Sequence, residues 1–328
     1  SSLVNYLLNK DLKVIGISRS NEKNKSELIY KNNKNLKNYQ FYKININKDL
    51  QKLKNLINKK KPNIIIDFLG QGMVAESWCN PEQWFTTNVL SKIKLFNFLS
   101  NYKFLKKYIR ISTPEVYGSS QNLLKENSTY NPSTPYAVTH MTIDTYLNII
   151  FEKSKFPAII MRFSNFYGES QPFYRIIPKT IISVINKKKL PLHGKGLSLR
   201  SFIYIDDFCA AIFKGIKKGK IGETYNVSSN EVFSIAEIVK IICLKMNYNF
   251  NYLIKYQKDR PSKDFRYFMN NNKAKKKLGW NNKISFSEGL DRTIKWYYKN
   301  LKNFKNIKYG YIHSCLLYTS DAADDSLR

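Results

Sequence analysis

Apolar positions along the chain fall into two alternating rhythms. Short runs at residues 12–18 and 63–69 are mostly apolar, 39–46 alternates in part, and Lys107–Ser112 is a fourth; all four read as strands. Between them, residues 49–59 and 81–102 carry helical spacing, with Trp84, Val89, Phe96 and Leu99 recurring along the second of these. Leu3, Val4, Leu7 and Leu8 already share one face of a helix at the start of the chain. Apolar strands separated by helices predict a parallel sheet covered on both faces, that is, a doubly wound α/β domain. The second half mixes shorter strands and helices at 157–163, 176–187, 201–205, 207–217, Thr224–Val227, 235–246 and 286–298, without an internal repeat. Loops rich in Asn, Ser and Pro at 122–135 and 165–173 follow strands, which places them at the carboxyl edge where such sheets bind ligands.

With 328 residues, 43% of them hydrophobic and 14% aromatic, the chain can build one large core or two modest ones, and disorder is excluded as its main state. No apolar run reaches the roughly 18–20 residues of a membrane helix. The four cysteines, Cys79, Cys209, Cys243 and Cys315, are far apart and form no CxxC pair. No metal site or disulfide framework is therefore expected, and a reducing, cytoplasmic setting fits. The net charge of +31 arises almost wholly from Lys scattered in short clusters among abundant Asn and Ile. Such scatter reads as compositional drift, so neither nucleic acid nor a membrane is expected as partner. Ser1 begins inside a helical pattern, so an upstream segment is expected to be missing. Residues 314–328 contain no Lys, Asn or Ile and are set aside as read-through or appended sequence.

Two stretches carry candidate chemistry. The strand Lys107–Ser112 runs into Thr113-Pro114-Glu115-Val116-Tyr117-Gly118. In extended chain a hydroxyl and a carboxylate two residues apart face one side, and Pro114 favours extension in the residue before it. Further on, Ser133 or Thr134 is a credible N-cap and Pro135 a natural first-turn residue for a helix that continues to about Phe151. Tyr136 and His140 then lie one turn apart on the same face. A phenol acts as acid or base near neutral pH only when its pKa is lowered, which a neighbouring cation does. An ordinary capped turn and a surface Tyr-His pair remain the plainer alternatives for each stretch alone.

Together, Ser-Thr-x-Glu-Val-Tyr-Gly, a spacer and Pro-Tyr-x-x-x-basic resemble the extended short-chain dehydrogenase/reductase family, in particular its nucleotide-sugar 4,6-dehydratases. The resemblance runs to about Asn303. It takes in Thr87-Asn88-Val89, Arg162 to Gly168, Leu190 to Gly196, Arg200 to Asp207, Asp259-Arg260-Pro261 and Leu278-Gly279-Trp280. It implies a Rossmann-type doubly wound parallel sheet whose first strand and Gly-rich loop are missing, with a smaller C-terminal α/β substrate domain. The expected division is 1–164 for NAD(P) and 165–313 mainly for the nucleotide sugar, with some segments returning to the Rossmann sheet.

The resemblance also implies roles. Thr113 would hydrogen-bond the sugar, Tyr136 would take the O4 proton as hydride leaves C4, and Glu115 would remove the C5 proton of the 4-keto intermediate. Asn88 would support the backbone around the cofactor, and Asn165, Arg200, Asn226 and Arg260 would grip the diphosphate. Three departures stand out: the GxxGxxG loop is absent, His140 replaces the usual Lys that lowers the Tyr pKa, and Pro114 replaces the Asp that protonates the departing C6 hydroxyl. Asp206 and Asp207 read as helix-capping residues. Ser18 and Arg19 end the second family strand, where an acid would bind the ribose of NAD; a cation and hydroxyl favour NADP. The expected protein is thus an NAD(P)-dependent dehydratase of a nucleotide-diphosphate sugar, paired as a homodimer through two helices including that of Tyr136. An epimerase, a UDP-glucuronate decarboxylase or an inactive nucleotide-binding relative are the open alternatives.

Overall fold

The computed structural model describes residues 1–23, 25–258 and 264–300. In chain order its strands are β1 Val14–Ser18, β2 Tyr39–Lys43, β3 Ile64–Asp67, β4 Lys107–Ser112, β5 Ala158–Phe163, β6 Asn165–Tyr167, β7 Leu190–His193, β8 Leu199–Tyr204, β9 Thr224–Val227, β10 Val232–Ser234 and β11 Ile254–Gln257. The helices are α1 Ser2–Leu8, α2 Leu50–Lys60, α3 Pro81–Phe85, α4 Ser91–Leu99, α5 Pro135–Ser154, α6 Ile176–Ile185, α7 Ile205–Lys218, α8 Ile235–Lys245, α9 Phe250–Leu253 and α10 Phe286–Lys299.

Two parallel sheets form the first half. One pairs β1 with β2, and the other runs β3-β4-β5-β9, so β9 returns to this sheet from the second half. One face packs Leu7 of α1 and Phe208 and Ile212 of α7 against Ile109, Ile159 and Met161. The other packs Leu53 and Ile57 of α2, Leu95 and Phe96 of α4 and Ile143 and Leu147 of α5 against Tyr108, Ala158 and Ile160. That double cover explains why β5 reads as an unbroken apolar run and is buried at every residue. The second half builds β10-β8-β6 and the pair β11-β7, with α6, α8 and α10 packed on them.

Local chemistry accounts for most element ends. Thr134 caps α5 by accepting from the Ala137 N–H, Ser234 closes a reciprocal capping box with Glu237, and Ser285 caps α10. The expected single helix over 81–102 is interrupted: Thr86–Leu90 winds as a wide π turn between α3 and α4. The expected loop at 165–173 begins as β6, because Asn165–Tyr167 pairs in parallel with β8. Asp206 and Asp207 lie inside the first turn of α7 rather than capping it. The Asp207 carboxylate accepts from the Lys283 and Ile284 N–H groups and so ties the chain before α10 to α7. Among the described residues, no helix is long and apolar enough to cross a membrane. The tail at 314–328, Cys315 and the stretch 301–313 lie outside the described residues.

Candidate active site

Strand β4 ends at Ser112, and Thr113 caps the 3-10 turn Pro114–Tyr117 by accepting from the Glu115 N–H at 3.3 Å. The turn closes at Gly118, where φ is +67° and an added Cβ would sit 2.1 Å from the Asn131 carbonyl oxygen. Only glycine fits there, which is why the motif ends as it does. The turn holds Glu115 beside Asn165, Ser164, Arg200 and Tyr267 around one small cleft. Glu115 Oε2 is buried and accepts no hydrogen bond. Burial lifts this carboxyl to about 7; Arg200 and Arg175 pull it down, whereas Asp264 adds to the rise.

Helix α5 brings Tyr136 to the same place. Its phenol is held above the ordinary range, first by burial and then by Glu115, while the Thr113 hydroxyl and the charges of Arg175 and Arg110 act the other way. Thr113, Glu115 and Tyr136 thus converge. His140 lies beneath Tyr136 with ring centroids 4.4 Å apart. It supplies no cation to Tyr136: burial, then Arg110 and Lys92, hold its pKa well below the usual imidazole value, which favours the neutral ring. Arg110 Nη2 donates to His140 Nδ1 at 2.9 Å. Since Arg carries no acceptor, the His140 proton must reside on Nε2.

Asn88 is fully buried in the π turn. Its Oδ1 accepts from the Gln71 N–H at 2.7 Å, and its Nδ2 donates to the Gln71 carbonyl and to Thr139 Oγ1 at 3.1 Å. The side chain therefore locks the loop after β3 onto α5. An added Cβ at Gly70 would lie 3.0 Å from Asn88 Oδ1, so the loop presents bare backbone there. Gly70 and Gln71 face a large cavity that Ser18, Arg19 and Ser20 also line. A bare backbone cradle, hydroxyls and a guanidinium in one cavity fit the ribose portions of a dinucleotide.

The diphosphate residues divide. Asn165 and Arg200 line the Glu115 cleft. Arg200 stacks 4.4 Å from the Tyr267 ring and donates to the carbonyls of Leu199, Asp264 and Phe265. Asn226 is placed elsewhere: fully buried on β9, it accepts from the Tyr117 hydroxyl and donates to the Leu124 carbonyl, which anchors the 3-10 turn and the following loop. Arg260 lies outside the described residues. Sequence reasoning missed Arg110, Arg175 and Asp264, which set the potential around Tyr136 and Glu115. Only Arg110 carried a signal, a charge inside the apolar strand β4.

A doubly wound sheet carrying Thr113, Glu115 and Tyr136 at its carboxyl edge defines an extended short-chain dehydrogenase/reductase. Comparison with known proteins narrows the class. Residues 1–293 match the family model described as GDP-mannose 4,6 dehydratase, and the chain belongs to that family. It is 34% identical over 280 residues to human dTDP-D-glucose 4,6-dehydratase, covering 84% of this chain and 79% of that protein. To the dTDP-glucose 4,6-dehydratase of Haemophilus influenzae it is 31% identical, covering 92% of this chain and 95% of the relative. The crystal structure of dTDP-glucose 4,6-dehydratase from Bacillus anthracis in complex with NAD superimposes with a TM-score of 0.81 at 28% identity, covering 92% of this chain and 95% of that one.

Proposed function

We propose that the protein is a nicotinamide-dependent nucleotide-sugar 4,6-dehydratase, with Thr113, Glu115 and Tyr136 as its catalytic residues. The observation that carries the reading is the buried, unpartnered Glu115 oxygen two residues from Thr113 and beside Tyr136. A bound nicotinamide supplies the reversible two-electron acceptor for C4. Thr113 orients the sugar, and Tyr136 takes the O4 proton as C4 is oxidised to the ketone that the product keeps. Oxidation at C4 acidifies the C5 hydrogen, which Glu115 removes while the C6 hydroxyl, protonated by a group other than Pro114 or by solvent, departs as water; general-base help of this kind is worth about 100- to 10,000-fold. Return of the hydride to C6 and of a proton to C5 would then give the 4-keto-6-deoxy sugar and restore the oxidised nicotinamide. His140 orients Tyr136 and the positive potential comes from Arg110 and Arg175.

Asn165 and Arg200, at the mouth of this cleft, are placed to meet the diphosphate, for which a guanidinium suits an anion. Residues 1–164 hold the dinucleotide and 165–313 mainly the nucleotide sugar. Ser18 and Arg19 favour NADP, although the Bacillus anthracis relative is described with NAD. Exposed Leu90 in the π turn and Ile149 on α5 support pairing of two copies through these helices.

The test is turnover of dTDP-glucose, UDP-glucose and GDP-mannose in deuterated water. A 4-keto-6-deoxy product labelled at C5 is expected, and Glu115→Gln should lower label and product together while nicotinamide reduction survives. Inversion at C4 without C5 label would make the protein an epimerase, carbon dioxide from UDP-glucuronate a decarboxylase, and binding without nicotinamide reduction an inactive relative.

A further inference from the structure

Residues 264–270 form a strap, and its Tyr267 and Met269 line the Glu115 cleft. The strap is tied along both edges. On one, Leu199 at the start of β8 donates its N–H to the Phe265 carbonyl at 2.8 Å. On the other, Ser119 Oγ, just past the turn of Glu115, accepts from the Phe265 and Arg266 N–H groups at 3.3 and 3.4 Å. The Ser120 N–H donates to the Arg266 carbonyl at 3.2 Å. Leu124 donates to the Phe268 carbonyl and accepts from the Asn270 N–H, both at 2.8 Å. At the head of the strap stands Asp264, 7% exposed. Its Oδ1 accepts from Ser133 Oγ at 2.9 Å, its Oδ2 from the Tyr267 hydroxyl, and its carbonyl from Arg200 Nη2 at 2.8 Å. Ser133 directly precedes Thr134, the cap of α5, and Tyr136 follows two residues later.

We propose that Asp264 is a positioning residue for the dehydration, a brace that fixes the start of α5, and with it Tyr136, against the strap and Arg200. The proposal rests on the dehydratase reading above for what Tyr136 and Arg200 meet, the sugar and its diphosphate. A carboxylate suits the task because its two oxygens accept at once from hydroxyls on two segments. A misplacement of about 1 Å at a reacting centre can cost about 100-fold in rate, so the span from diphosphate to C4 has to be held as a unit. Asp264 also faces Glu115. Among the described residues, the other groups acting on that carboxyl or feeling its charge are Arg200 on β8, Arg175 before α6, Tyr136 on α5 and Tyr267 on the strap. Arg200 and Arg175 favour the ionised base, and Asp264 opposes it.

Three variants separate the brace from the charge. Asp264→Asn keeps a polar group toward both hydroxyls and drops the charge, Asp264→Ala drops both, and Ser133→Ala removes the bond to α5 while keeping the charge. Two readouts need no turnover. Hydrogen exchange of the Tyr136, Ala137 and Val138 amides, which bond to Ser77 and Thr134, should quicken at least ~10-fold in Asp264→Ala and Ser133→Ala and stay near wild type in Asp264→Asn. The Glu115 carboxyl carbon resonance should titrate at lower pH in Asp264→Asn and stay in place in Ser133→Ala. Turnover is read with whichever of dTDP-glucose, UDP-glucose and GDP-mannose the wild type accepts. There kcat should fall at least ~10-fold in Asp264→Ala and Ser133→Ala, with KM changed less than ~3-fold. Asp264→Asn should recover most of that loss while moving the acidic limb of kcat/KM to lower pH. Unchanged exchange at the start of α5 in Ser133→Ala, or a Glu115 resonance unmoved in Asp264→Asn, would overturn the proposal even if Asp264→Ala does not fold. Absence of turnover of all three sugars by the wild type would defeat the dehydratase reading instead, and the exchange result would still decide whether Asp264 braces α5.

Discussion

Replacing Glu115 with Gln should change how stability depends on pH, in a direction set by the burial of this carboxyl. Its folded-state pKa is raised from 4.5 to about 7, burial being the largest cause. Between those values the folded chain keeps a proton that the unfolded chain has lost. The stability this group contributes is therefore fully present below the unfolded pKa and is lost as pH rises through the folded one. A displacement of about 2.5 pH units corresponds to roughly 3 kcal/mol, of which about 2.5 kcal/mol falls between about pH 5 and pH 8. Glu115 is not wholly enclosed, and solvent screening trims the measurable share to about 1–2 kcal/mol. The Gln variant, neutral and of the same shape, lacks this dependence. Urea unfolding of both proteins from about pH 5 to pH 8 should show the wild type losing stability relative to the variant by that amount, with a carboxyl carbon resonance titrating near 7. Parallel stability profiles, or a Glu115 carboxyl titrating near 4.5, would refute the reasoning.

Tyr136→Phe should reduce nicotinamide reduction by nucleotide sugar at least ~100-fold with little change in melting temperature, and an unchanged rate would remove α5 from the chemistry. His140→Lys should preserve or raise that rate, because it adds a cation beside Tyr136, while lowering the melting temperature, because the new charge lies next to Arg110; a rate loss with unchanged stability would contradict both halves. Arg19→Ala should weaken NADP binding about 10-fold or more and leave NAD binding nearly unchanged, as calorimetry can measure; equal losses for both would assign Arg19 no part in choosing the cofactor.

The sheet was readable because helical stretches separate its strands: residues 63–69 form an apolar run and β5, covered on both faces, is buried at every residue, whereas β4 is broken by Lys107 and Arg110. The turn from Thr113 to Gly118 was readable because Gly118 and Pro114 constrain backbone, and backbone constraint leaves a local mark. What the residues alone could not reveal depends on contacts between distant segments. Asn226 was expected at the diphosphate, but its neighbours Tyr117 and Leu124 lie over a hundred positions away and claim its side chain. The π turn at Thr86–Leu90 preserves helical spacing on either side, so periodicity hid it, although it aims Asn88 at the loop after β3. The short strands β7, β10 and β11 lack the run of β-branched residues that marks β3, itself only four residues long, and so read as loop.

The neutrality of His140 follows from what lies beneath it. Asp67 pairs with Lys92 at 2.8 Å and with Arg110 at 3.4 Å, and Asp144 pairs with Arg162 at 3.1 Å and Arg110 at 3.6 Å, all almost fully buried. Ser112 donates to Asp144 as well. Two carboxylates thus already face three cations, and burial with Arg110 pushes Lys92 down to about 8. A protonated imidazole would add a fourth positive charge without a partner, in a setting where an unpaired charge is severely penalised. The cation that the family motif places one turn along α5 from Tyr136 is supplied from outside that helix, and His140 stands there as a neutral ring fixed by Arg110. The positive potential at the phenol depends in consequence on Arg175, just before α6, and on Arg110 of β4 rather than on the helix that bears it, which is why a motif confined to α5 could not reveal it.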